Sequence, residues 1–194
     1  VEIAKVVQKG KVVDADKVKV KKSNLINIKD ITSNEVNRID LGMRQLNNLF
    51  GGNEKTGHTG IALNSLTLLS GEPGVGKSTL LLQLLEKVSQ QGKKSIYFSA
   101  EENEEQVKER YDRLGLKEDF VVRNENNMMQ ILTDGADFDF LIIDSINTMY
   151  IENLGVVGGV SQIKECTMLL MDFAKKQNKT IIIIGQVNGE GDIA

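Results

Sequence analysis

Short apolar runs alternate along this chain with stretches whose apolar positions recur at helical spacing. The runs at 65–70, 94–99, 119–123, 138–144 and 180–186 have the length of strands, and Leu141-Ile142-Ile143 and Ile181-Ile182-Ile183-Ile184 show no polar alternation. Strands of that character are buried on both faces. Between them the periodicity predicts helices over 76–91, 104–114, 126–133 and 160–177. Such alternation builds a mostly parallel, twisted sheet with helices on both faces and right-handed crossovers, an α/β fold. Nothing repeats at a fixed period, which excludes a solenoid.

Two segments break the rhythm. Residues 1–37 alternate Lys and Val, as in Lys17-Val18-Lys19-Val20-Lys21-Lys22, and read as an exposed strand or an adaptable arm or linker ahead of one domain over 38–194. The Gly-rich polar stretch 51–60 is expected to be a loop, because glycine at that density costs backbone entropy inside an element. With 194 residues, 40% of them hydrophobic and 26% charged, the chain has the size and composition of one globular domain with a tail.

Composition narrows the chemistry. The single cysteine, Cys166, cannot form an internal disulfide, and with one histidine, His58, there is no ligand set for structural zinc. Cys166 shares a helical stripe with Ile163, Leu170 and Phe173 and reads as core, while His58 reads as surface. A net charge of -3 gives no global basic field, so nucleic-acid contact would need local patches or an assembled ring. No apolar run reaches membrane-spanning length and Val1-Glu2-Ile3-Ala4-Lys5 is no signal peptide, so a cytoplasmic protein is expected.

The strongest motif is Gly71-Glu72-Pro73-Gly74-Val75-Gly76-Lys77-Ser78, an eight-position phosphate loop between an apolar strand and a leucine-rich helix. Its glycines let backbone N–H groups converge on one concavity, and the following helix adds its positive end, which together suit a polyphosphate such as ATP. Lys77 is then expected at the β- and γ-phosphates and Ser78 on Mg²⁺, with Thr79 adjacent but off-register. Asp144, ending an apolar strand, is the matching second metal residue. Hydrolysis also needs a base for water, and Glu101 or Glu102 lies at the same sheet edge. Spacing does not choose between them, since an acid there also suits the start of the next helix. Gln186 could report on the γ-phosphate from the last strand, and Arg110 could stack on the base.

Taken together these residues resemble the bacterial RadA/Sms family of recombination and repair ATPases, with a RecA-like fold, from about Arg38 to Ala194. The resemblance runs through 40–52, 66–83, Tyr97-Phe98-Ser99-Ala100-Glu101-Glu102, 141–150 and 160–167. It implies a magnesium-dependent, DNA-stimulated ATPase in recombinational repair that drives branch migration, with Glu101 as the base. It further implies single-stranded or branched DNA and RecA recombinase as partners, and a hexameric ring. The family's four-cysteine zinc module, its Lys-Asn-Arg-Phe-Gly motif and its protease-like domain are absent, so the chain reads as an ATPase core. Gln186-Val187-Asn188-Gly189 stands where the family carries His-Val-Thr-Lys, and the 53–59 link looks longer than usual. A replicative-type ring helicase and a clock-type, nucleotide-gated assembly module stay open as alternatives. The Gly-rich loop 152–159, followed by Lys164, is long enough to line a channel.

Overall fold

The computed structural model describes residues 5–8, 11–14, 25–30, 37–53 and 58–186. The chain divides into two compact units, Val1–Asn34 and Glu35–Ala194. In the first, β1 (Lys5–Gln8) and β2 (Lys11–Asp14) pair as an antiparallel hairpin. The Lys/Val segment 17–22 lies outside the described residues.

The second unit opens with small elements that the hydrophobic pattern did not announce: β3 (Arg38–Ile39), α1 (Arg44–Phe50), β4 (Gly52–Asn53), β5 (His58–Thr59) and β6 (Ile61–Ala62). The expectation that all of 51–60 is loop is corrected, because Gly52 pairs with Thr59 and Asn53 with His58. Backbone pairing does not require side chains of high strand propensity, and the ends of this stretch are clamped from outside. Arg38 Nη1 donates to Phe50 O at 2.8 Å and to Gly60 O at 2.7 Å. Gly60 has φ +96°, and a Cβ there would lie 1.9 Å from Ile39 O, so only glycine fits. Helix α1 contains two asparagines, poor helix formers, yet Asn47 is buried and accepts from Leu41 N at 2.9 Å. Tertiary contacts override local propensity there.

From Leu66 onward the predicted rhythm is realised as β7 (Leu66–Gly71), α2 (Lys77–Gln90), β8 (Ser95–Ser99), α3 (Glu104–Leu114), β9 (Val121–Asn124), α4 (Met128–Asp134), β10 (Phe140–Asp144), α5 (Val160–Lys176) and β11 (Thr180–Gln186). The five strands form one parallel sheet in the order β7-β11-β10-β8-β9. Boundaries shift by at most two residues from the pattern. Helix α4 starts at Met128 because the Asn127 side chain caps it, accepting from Met129 N at 2.9 Å.

Alternate residues of the central strands feed two cores. Phe140, Ile142, Ile182 and Ile184 pack with Leu81, Leu82, Leu85 and Val88 of α2 and Val107 of α3. Leu141, Ile143, Ile181 and Ile183 pack with Met128 and Ile131 of α4 and with Cys166, Leu170 and Ala174 of α5. All of these are at most 2% exposed. Full burial of each of the Val, Leu, Ile, Phe and Met side chains among them contributes about 1.5–3 kcal/mol. A parallel sheet covered on both faces, with a phosphate loop after its first strand, is an α/β P-loop NTPase fold.

Candidate nucleotide site at the carboxyl edge of the sheet

Parallel strands end on one edge, and there the sheet gathers the polar residues. Register sets Gly71 of β7 beside Gln186 of β11, and Ser99 of β8 beside Asp144 of β10. The order β7-β11-β10-β8 therefore brings the phosphate loop, Gln186, Asp144 and the Glu101-Glu102 pair to neighbouring strand ends.

The loop turns at Gly74 (φ +79°) and Gly76 (φ +95°), where a Cβ would meet nothing within 4 Å. The demand for glycine is thus conformational, and the space above the loop is open. Gly76 is the N-cap of α2, and no side chain caps that helix. Its first backbone bond runs from Leu80 N to Gly76 O at 2.9 Å, so the N–H groups of Lys77, Ser78 and Thr79 have no acceptor within the helix. Free donors at the positive end of a 14-residue helix favour an anion. Lys77 Nζ folds over the loop, donating to the carbonyls of Gly71 and Glu72 at 2.8 Å each.

Asp144 is 8% exposed and accepts from the hydroxyl of Tyr97, which is fully buried in the middle of β8. Burial, then the neighbouring carboxylate, pushes the Tyr97 phenol far above its ordinary range. The peptide bond from Asp144 to Ser145 is cis.

The two glutamates part company. Glu101 Oε1 accepts from Ser145 Oγ and from Gln186 Nε2, both at 2.9 Å. Gln186 is itself fixed by its backbone N–H, which donates to Asn147 Oδ1 at 3.0 Å. Glu102 turns the other way into an ion pair with Arg110, and its N–H donates to Ser99 Oγ at 3.0 Å. The cap of α3 is Asn103, in a reciprocal capping box with Gln106, so Glu102 is not the capping group. Among the described residues, Glu102 Oε2 and Arg110 Nη1 are buried without a hydrogen-bond partner. Together with Arg113 this pair faces the loop residues Gly76, Lys77 and Ser78 across a cleft of about 290 Å³.

Sequence reasoning missed Tyr97, Ser145, Asn147 and Arg113. A signal existed for Tyr97, because a tyrosine inside a fully apolar strand needs a partner for its hydroxyl. Ser145 directly follows the metal candidate. Elsewhere, the loop 152–159 exposes Val156 and Val157, and the Gln162 side chain ties its start to α5 by bonds to Ile151 N and O at 2.8 and 3.0 Å. Residues 187–189, where the family pattern is broken, lie outside the described residues. Among the described residues no helix is long and apolar enough to cross a membrane.

Comparison with known proteins agrees with this fold. The family model described as ATPase: KaiC matches residues 39–134. The chain is 41% identical over 177 residues to the DNA repair protein RadA of Streptococcus pneumoniae, covering 89% of this chain and 40% of that protein. It is 39% identical over 171 residues to the DNA repair protein RadA of Listeria monocytogenes, covering 86% and 36%. Against the DNA repair protein RadA of Halalkalibacterium halodurans it is 40% identical over 161 residues, covering 81% and 34%. The chain thus spans between a third and two fifths of the length of these relatives.

Proposed function

From the kinship of this chain with the RadA DNA repair proteins, and from its KaiC-like, RecA-type ATPase domain, we propose that it is a magnesium-dependent, DNA-stimulated ATPase. Its place is recombinational DNA repair, where it drives branch migration of recombination intermediates in the cytoplasm. The observation that supports this reading most is that Lys77, Asp144, Glu101 and Gln186 meet at one sheet edge, with Glu101 oriented by two hydrogen bonds.

In this reading the loop from Gly71 to Ser78, with Thr79, cradles the phosphates of ATP, and the Lys77 ammonium moves from the loop carbonyls to the β- and γ-phosphates. Ser78, in the first turn of α2, and Asp144, at the end of β10, are hard oxygen donors, which suits one Mg²⁺ between them. A magnesium ion bound there would neutralise charge developing on the transferred phosphoryl group. Glu101 orients a water and takes its proton as the water oxygen bonds to the γ-phosphorus and ADP departs. Gln186 couples the end of β11 to that carboxylate. Arg110 has an unpartnered Nη1 beside the cleft and serves the nucleotide, with the base as its target. DNA, RecA recombinase and a hexameric ring belong to the longer protein's activity.

The match to the KaiC ATPase model favours a second reading, a nucleotide-gated assembly module with slow hydrolysis. Steady-state ATP hydrolysis with and without single-stranded DNA separates the two. The repair reading predicts a rate that rises with DNA. A rate indifferent to DNA, with assembly that follows nucleotide, would move the assignment to the second.

A further inference from the structure

We infer that Tyr97 is a positioning residue that orients Asp144, one of the two proposed magnesium donors, from inside the core; the inference rests on the magnesium-ATP reading above. Two strands meet at its hydroxyl. Tyr97 lies in the middle of β8 and donates to Asp144 at the end of β10. Its ring is completely buried among Leu81, Leu85, Phe140 and Ile142.

For packing alone a phenylalanine would serve, and the next residue, Phe98, fills the other face of the same strand without a hydroxyl. What the hydroxyl adds is direction. It commits one Asp144 oxygen and so fixes the rotation of the carboxylate about its side-chain bond. A bond between side chains 47 positions apart makes the placement of a strand-end carboxylate a property of the core. Partners of this kind behind a ligand typically cost 10–100-fold in metal affinity when removed.

The test is Tyr97→Phe in the full chain, with metal affinity read separately from turnover. Mn²⁺ is titrated into the ADP-bound protein and followed by its paramagnetic resonance signal, and ADP affinity is measured in EDTA by calorimetry. The inference predicts Mn²⁺ binding weakened about tenfold, with metal-free ADP affinity and circular dichroism as in the parent. Unchanged Mn²⁺ affinity overturns it, as does an equal weakening with and without metal, which would mean that the loop as a whole is damaged. Ser78→Ala and Asp144→Asn run alongside. If both weaken Mn²⁺ binding and Tyr97→Phe does not, Tyr97 is only packing; if neither does, the magnesium site itself is misassigned. Should Tyr97→Phe melt at lower temperature, the same titration below its transition decides.

Discussion

Glu101 and Glu102 are adjacent and chemically identical, and their surroundings make them different. Glu101 Oε1 is held by Ser145 and Gln186, which are neutral donors that leave its charge available as a base. Glu102 is neutralised by Arg110. We therefore expect Glu101→Gln to bind ATP as the parent does while its kcat falls about 100- to 10,000-fold, and Glu102→Gln to alter nucleotide affinity more than kcat. Single-turnover hydrolysis beside equilibrium binding would reveal the reverse pattern. Cys166 is the opposite case, a reactive residue type made inert. It is fully buried in the α5 core, and burial, then the charge of Glu165, pushes its thiol up to about 11. A raised folded value means the neutral thiol's contribution is complete below the ordinary thiol range and is lost as pH rises towards about 11. Urea midpoints of the parent should accordingly fall more steeply over that alkaline range than those of Cys166→Ala. Parallel curves would contradict the assignment. A thiol reagent near neutral pH should also leave the folded chain unlabelled.

At the scale of elements, the phosphate loop depends on backbone shape more than on space. Gly76→Ala places a Cβ at φ +95° where no atom is near, so the cost is strain of roughly 1–2 kcal/mol with no clash. Gly92, just past the far end of α2, has φ +74° and equally open space. Gly92→Ala should therefore lower Tm by a similar few degrees while leaving ATP affinity alone, whereas Gly76→Ala should lose both. Equal ATP affinity in the two variants would detach the loop from nucleotide binding. Elements of this kind were largely readable from the sequence. Helix α3 and strand β11 fall where periodicity put them, because an amphipathic stripe and an unbroken Ile run each admit one solution. Helix α1 was not readable, since its Asn47 forms bonds that exist only after β3 and the segment beyond it have docked. The β4–β5 pairing was hidden because it rests on backbone bonds. In the site, the motif exposed Lys77, Ser78 and Asp144 as candidates. The separation of Glu101 from Glu102 and the role of Tyr97 depend on side-chain directions and strand register, which one-dimensional spacing does not carry.

For the molecule as a whole, the sheet order turns distant segments into neighbours. Gln186 and Glu101, 85 positions apart, are joined by a hydrogen bond, so a change at the end of β11 reaches the proposed base directly. The two-sided core holds these strand ends rigidly, and the site can lose a charge without losing the fold. Lys77 shows this best, because its ammonium donates to two loop carbonyls, those of Gly71 and Glu72. The most direct test of the account is ATP turnover by the parent chain and by Lys77→Ala, each shown by circular dichroism to be folded. Loss of one preorganised group at a transferring phosphoryl typically costs 100- to 1,000-fold, so the account predicts a fall in kcat of about that size with native secondary structure intact. Turnover by Lys77→Ala at the parent's rate would contradict it.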